Sequence, residues 1–237
     1  MPLALDLLVA LLAGGLAAAF VPYPRSGLVA ARRTLFAVAI VGAVVTAVLA
    51  LLVRSVPAVQ HLDDRVARWS YDHRTAASTG GLRVITHLGG IWVIVVLAVA
   101  LGIVETVRRR DRWCVPFLLA VVAGIALVTP ALKVLVDRAR PALVPAAAKL
   151  GPAFPSGHSS NAAAFYAAAA LLLGRELPSG GRRALVGAAV AVAAAVAVSR
   201  VLLDLHWITD VLAGLALGWG WFALCAAIFA RRLETLP

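Results

Sequence analysis

Apolar runs of about 20 residues, the length of helix that crosses a hydrocarbon core, recur seven times along the chain. They cover residues 3–21, 34–53, 88–107, 114–135, 157–174, 184–201 and 206–230. This pattern predicts an all-α, polytopic membrane helix bundle. The first run carries Asp6 and the pair Gly14-Gly15, so it reads either as a span or as an interfacial helix. No Lys or Arg precedes it, which does not fit a cleaved signal. Residues 54–87 break the pattern with the stretch QHLDDRVARWSYDHR. Its mixed charges and aromatics predict short amphipathic helices lying near the headgroups.

Composition strengthens this picture. A chain of 237 residues that is 62% hydrophobic, with a mean hydropathy of +0.96, is too apolar for an ordinary soluble domain. A formal charge of +11 would suit nucleic acid, but only three Tyr and seven Phe are present. No basic stripe is interleaved with aromatics, so no nucleic-acid partner is expected. The arginines instead fall between apolar runs: Arg25, Arg32 and Arg33; Arg108, Arg109, Arg110 and Arg112; Arg175, Arg182 and Arg183; Arg231 and Arg232. These connections alternate, and the positive-inside rule assigns their side to the cytoplasm. Trp92, Trp113 and Trp207 near run ends read as interface anchors, and Cys114 and Cys225 as small core residues.

The opposite side carries the chemistry. In Gly151-Pro-Ala-Phe-Pro-Ser-Gly-His158, Pro155 stops the preceding chain from being helical and Ser156 is a good N-cap. Gly157 lets backbone approach a ligand, so the first amides of the next helix form an anion site. His158 lies beside it, placed to exchange a proton. Lys133 and Arg140 are seven apart, about two turns if the helix continues. Lys133 sits within apolar sequence and wants a partner. Further on, His206 and Asp210 are spaced i, i+4, neighbours on one helical face, with Arg200 nearby. A carboxylate on one imidazole nitrogen fixes the tautomer and aims the other nitrogen as base or nucleophile.

If the runs alternate across the membrane, four helix ends converge on the extracytoplasmic face. They assemble three cations, helix N-terminal amides and two histidines, a set suited to a dianionic tetrahedral group. No acidic cluster suited to Mg²⁺ or Zn²⁺ accompanies them. His61, His73 and His87 read as solvated loop histidines, while Arg65, Arg68 or Arg74 could admit an anionic headgroup. The spacing Gly214-Leu-Ala-Leu-Gly218 would let the last helix approach a neighbour closely, within the protomer or across a homodimer.

The segments KVLVDRARP, PSGH and SRVLLDLHWITD, residues 133–210, resemble the three signature motifs of the type 2 phosphatidic acid phosphatase superfamily, which also includes vanadium haloperoxidases. The resemblance implies a six-helix phosphatase core supplied by the runs from 34 to 230, with one extra N-terminal helix. Residues 1–33 would form that helix and its connection, and residues 34–237 the phosphatase transmembrane domain. It implies His206 as nucleophile, Asp210 as its partner and His158 as general acid and base. Lys133, Arg140, Arg200 and the Ser156–Gly157 region would hold phosphate oxygens, with no metal or cofactor. A membrane-face site suits a phosphate on a lipid tail: phosphatidic acid, phosphatidylglycerol phosphate, or a polyprenyl diphosphate such as the undecaprenyl cell-wall carrier. A transporter would not need the His206–Asp210 pair beside His158. The haloperoxidases are soluble, against this hydropathy. A lipid-binding scaffold would not need the intact catalytic set.

Overall fold

The structure, a computed structural model, describes residues 27–143 and 150–234. The N-terminal run 3–21, and with it the extra helix, lies outside these residues. The described chain forms nine helices: α1 (Gly27–Ala30), α2 (Arg32–Ser55), α3 (Pro57–Asp72), α4 (Ala76–His87), α5 (Ile91–Arg109), α6 (Cys114–Val136), α7 (Gly157–Leu173), α8 (Ser179–Leu202) and α9 (Ile208–Glu234). Five of them, α2, α5, α6, α8 and α9, are long and apolar enough to cross a membrane. They coincide with five predicted runs to within a few residues, the largest shifts being an earlier start for α8 and a later end for α9.

Helix α7 is the hub. It packs against α9, α8, α6 and α5, and Ala162, Ala163, Ala164 and Ala168 are completely buried. An alanine-rich helix with most of its residues buried needs no polar face. Two core clusters flank it. One joins Phe117, Val121 and Ile125 of α6 to Leu172 and Ala226 at the arginine-rich end. The other joins Phe154, Val196, Val211 and Leu215 at the opposite end. The Gly214 and Gly218 pair is used inside the protomer. A Cβ on Gly214 would lie 2.6 Å from the Ser156 carbonyl oxygen, and one on Gly218 2.4 Å from that of Ser160. Small residues here let two backbones touch, the usual way membrane helices gain close packing.

The amphipathic segment predicted over 54–87 is helical. Pro57 opens α3 at a position where its missing N–H costs nothing. Thr75 and Ser78 close a reciprocal capping box on α4. The buried positions of α3 are Asp63, Ala67 and Ser70, a helical stripe that rests on the ends of α2, α8 and α9. Helix α4 lies against α8. Both helices therefore roof one end of the bundle.

At the other end the arginine clusters are also structural. Arg110 takes a left-handed turn, φ 52°, and Asp111 accepts the Trp113 amide at 2.8 Å, the local Asp turn that starts α6. Fully buried Asp111 also receives Arg175 Nη1 at 2.5 Å. Arg109 lies 3.4 Å from Glu105 and 3.5 Å from Glu176.

Candidate active site

Three turns deliver the polar residues to the roofed end. The first ends α6. Asp137 adopts the left-handed conformation, φ 45°, which a short polar side chain tolerates, and its amide returns to the Lys133 carbonyl. The helix stops at Val136, so Lys133 and Arg140 do not share a continuous helical face. They converge because both reach the loop 150–153. Lys133 Nζ donates to the carbonyls of Pro152 and, at 3.3 Å, Ala153. Arg140 donates to Gly151 at 2.9 Å and to Pro152 at 3.4 Å.

The second turn starts α7. Ser156 occupies the N-cap position in extended conformation, but its hydroxyl makes no capping bond. It accepts instead from Ser159 Oγ at 2.9 Å, while the Ser156 amide donates to the Asp210 carbonyl at 2.9 Å. Ser156, wholly buried, thus ties the start of α7 to α9. Gly157 and His158 follow it, both half-buried. A Cβ on Gly157 would meet only Thr129, at 3.7 Å, so protein packing does not require glycine there.

The third turn joins α8 to α9. Asp204 is left-handed, φ 55°, and the amides of Leu205 and His206 both return to the Arg200 carbonyl at 3.1 and 3.2 Å. This reversal sets His206 beside Arg200. Helix α9 begins at Ile208, not at 206, so His206 and Asp210 are not neighbours on a helix as their spacing suggested. They meet because Asp210, in the first turn, reaches back. Its Oδ2 accepts the Trp207 amide at 3.0 Å and lies 3.4 Å from His206 Nδ1, the same backward reach an acidic residue makes in a capping box.

With Nδ1 facing Asp210, Nε2 faces the cations. Arg140 Nη1 lies 3.0 Å from it and also donates to the Leu205 carbonyl at 2.5 Å. Burial, with Arg140, Arg200 and Lys133 alongside, holds the His206 imidazole well below its ordinary range. Arg200 is buried, bonded to Thr86 Oγ1 at 3.0 Å, and its Nε has no hydrogen-bond partner. His158 lies within electrostatic reach of Arg200, His206, His87 and Arg140. All eight residues singled out from sequence therefore belong to one end of the bundle.

Several contributors were not legible in the motifs. Arg138 bridges Asp210, at 2.7 Å, and Asp63 of α3, at 2.5 Å. Burial pushes the Asp63 carboxyl up, against the pull of Arg138 and Thr209. The α4–α5 turn packs on the site: a Cβ on Gly89 would come within 2.6 Å of the His158 carbonyl oxygen, and Asn161 Nδ2 donates to Gly89 at 3.3 Å. Trp207, expected as an interface anchor, donates to the Ala139 carbonyl at 2.8 Å and lies under the Arg138 guanidinium. Arg74, considered for headgroup entry, is paired with Asp204 at 3.0 Å. Arg65, Arg68, His61, His73 and His87 are exposed.

From Ile91, next to Gly89 and Gly90, an apolar groove of about 630 Å³ runs between α5 and α6 past Val95, Gly102, Leu118 and Val122.

The family model described as PAP2 superfamily matches residues 113–234, which carry all three motif turns. The chain belongs to the PAP2 superfamily. It is accordingly a multi-pass membrane phosphatase. Phosphatidylglycerophosphatase B of Bacillus subtilis is 33% identical over 163 residues, covering 68% of this chain and 80% of the relative. Lipid A 1-phosphatase of Rhizobium etli is 42% identical over 83 residues, 35% of this chain and 32% of that protein. The crystal structure of a transmembrane PAP2 type phosphatidylglycerolphosphate phosphatase from Bacillus subtilis superposes with a TM-score of 0.77 at 29% identity, over 84% of this chain and 98% of that one.

Proposed function

We propose that this PAP2 phosphatase removes phosphate from a lipid phosphate or diphosphate at the extracytoplasmic membrane face, through a phosphohistidine on His206. The observation that carries this reading is the orientation of His206: Nδ1 is turned to Asp210 and Nε2 to Arg140, among Lys133, Arg200 and the start of α7.

Nε2 of His206 attacks phosphorus in line with the ester oxygen. As the phosphorus–oxygen bond breaks, His158 gives its proton to the leaving lipid oxygen. Asp210 keeps the Nδ1 proton in place and balances the charged ring of the intermediate. His158, now neutral, takes a proton from water, whose oxygen attacks phosphorus. The phosphorus–nitrogen bond breaks, releasing inorganic phosphate. Lys133, Arg140 and Arg200, with the amides that begin at Gly157, bind the equatorial oxygens. The unpartnered, buried Nε of Arg200 suits this role, since such a donor is costly without an acceptor. Ser156 supports that cradle by fixing the start of α7. No metal or cofactor is required for this chemistry.

The groove leading from Ile91 between α5 and α6 suits an acyl chain. The relatives named for phosphatidylglycerophosphate and lipid A favour a glycerophospholipid or similar lipid monophosphate. The arginine-rich end, opposite the site, faces the cytoplasm by the positive-inside rule. Residues 34–237 constitute the phosphatase domain. The test is phosphate release by purified protein in detergent from phosphatidic acid, phosphatidylglycerol phosphate and undecaprenyl diphosphate, beside His206→Ala. Preference for a glycerophospholipid supports the reading; preference for undecaprenyl diphosphate transfers it to carrier-lipid recycling; no release from any of the three overturns it.

A further inference from the structure

We propose that Asp63 and Arg138 form a positioning relay for the reaction, with Arg138 holding Asp210 so that its second oxygen stays on Nδ1 of His206. The proposal rests on His206 being the nucleophile.

The side chains of Asp63, Arg138, Thr209 and Asp210 form one connected set of hydrogen bonds. Arg138 Nη1 donates to Asp210 Oδ1 at 2.7 Å and to Thr209 Oγ1 at 2.7 Å, and Nη2 donates to Asp63 Oδ2 at 2.5 Å. Thr209 returns its hydroxyl proton to Asp63 Oδ2 at 2.7 Å, and its amide donates to Asp63 Oδ1 at 3.2 Å. The ring therefore closes from α3 through the α6–α7 loop to α9. Asp63 accepts from three donors and gives none, the pattern of an ionised carboxylate. The side chains of Asp63, Arg138 and Asp210 are 1%, 12% and 0% exposed.

Two consequences follow for His206. A carboxylate free to rotate about its Cβ–Cγ bond could offer His206 either oxygen or neither, but Oδ1 is occupied by Arg138, so Oδ2 remains for Nδ1 and the Trp207 amide. A guanidinium on Asp210 alone would weaken the pull of that carboxylate on the imidazole proton. Asp63 offsets this by neutralising Arg138 from behind. The cluster of two carboxylates and one guanidinium then carries one net negative charge, matching the positive charge the ring gains when phosphorus bonds to Nε2. Asp63 lies outside the 113–234 region that the superfamily model matches, so a roof helix reaches the reacting ring through two intermediates.

The variants Asp63→Asn, Arg138→Gln and Arg138→Lys, with His206→Ala as reference, separate positioning from folding. Dioctanoyl phosphatidic acid in detergent micelles is the substrate, and ¹⁵N-histidine spectra of the ligand-free enzymes report the His206 tautomer. The expected result is a kcat lowered roughly 10- to 100-fold in Asp63→Asn and Arg138→Gln, with KM within about threefold of the parent. His206 should pass from one tautomer, protonated at Nδ1, to a mixture, and Arg138→Lys should recover part of kcat. If a single variant does not fold, the double variant Asp63→Asn/Arg138→Gln, which removes one charge of each sign and so keeps the net charge of the cluster, should fold and show the same kcat loss. Folded variants with parental kcat and a parental His206 spectrum would overturn the relay. Full activity in His206→Ala would instead overturn the nucleophile assignment, and the relay with it.

Discussion

Arg140 Nη1 stands 3.0 Å from Nε2 of His206, on the nitrogen left free by Asp210. The same guanidinium is held by the carbonyls of Gly151, Pro152 and Leu205. A phosphate oxygen offers Arg140 a charged acceptor in place of these neutral ones, a roughly twofold stronger bond.

Arg140→Ala should therefore lower kcat/KM by about 10²- to 10³-fold, the range for losing one preorganised donor to transition-state charge. Vanadate, which forms trigonal-bipyramidal adducts, should lose inhibitory potency in parallel. Steady-state kinetics with vanadate titration checks both. Unchanged vanadate inhibition would place Arg140 outside the phosphate cradle.

Packing at Gly214 is coupled to the site, because an added Cβ would meet the carbonyl of Ser156 at 2.6 Å and Ser159 Cβ at 2.9 Å. Gly214→Ala should cost about 1–3 kcal/mol, as overpacking does, and should lower kcat by shifting the start of α7. Gly218→Ala, against Ser160 and Ala163 further along the helix, should lower Tm comparably with a smaller loss of activity. Thermal unfolding in detergent and turnover assays distinguish the two.

His206 also predicts a pH dependence of stability. Burial and the neighbouring Arg140, Arg200 and Lys133 hold it neutral in the folded protein, well below the ordinary value of 6.5. The unfolded chain takes up this proton as pH falls through that value, while the folded chain does not. The contribution is thus fully present above pH 6.5 and lost on acidification, by up to about 1.4 kcal/mol per pH unit. Tm of the parent should fall more steeply between pH 7.5 and 5.5 than Tm of His206→Gln. Parallel curves would contradict a neutral, buried His206.

The arginine-rich end should behave as structure alone. Arg175→Gln leaves Asp111 fully buried without its ionic partner, at a cost of roughly 3 kcal/mol. Tm should drop while kcat of the surviving folded enzyme stays near the parental value.

The apolar runs made the five membrane-length helices and the buried α7 readable in advance, because lipid demands long apolar helices with few exceptions. The three motifs were readable because polar residues in such a chain are scarce enough to stand out. The bonds between them were less legible. Spacing suggested a helical His206–Asp210 pair, whereas the contact depends on a left-handed Asp204 and a carboxylate reaching back over the start of α9. Asp63 gave no signal because the buried stripe of α3 is Asp63, Ala67 and Ser70, polar and small rather than apolar. A hydrophobic pattern cannot mark such a face. Arg138 reads in sequence as one more membrane-edge arginine; only its two carboxylate partners distinguish it.

The most direct test of the metal-free histidine mechanism is an acid-labile, alkali-stable phosphoenzyme, trapped by rapid quench from ³²P-labelled phosphatidic acid in excess EDTA and mapped by peptide analysis. Label on His206 that appears in the parent, survives the chelator and is absent from His206→Ala is the expected result. Turnover that stops with EDTA, or label that persists in His206→Ala, would contradict it.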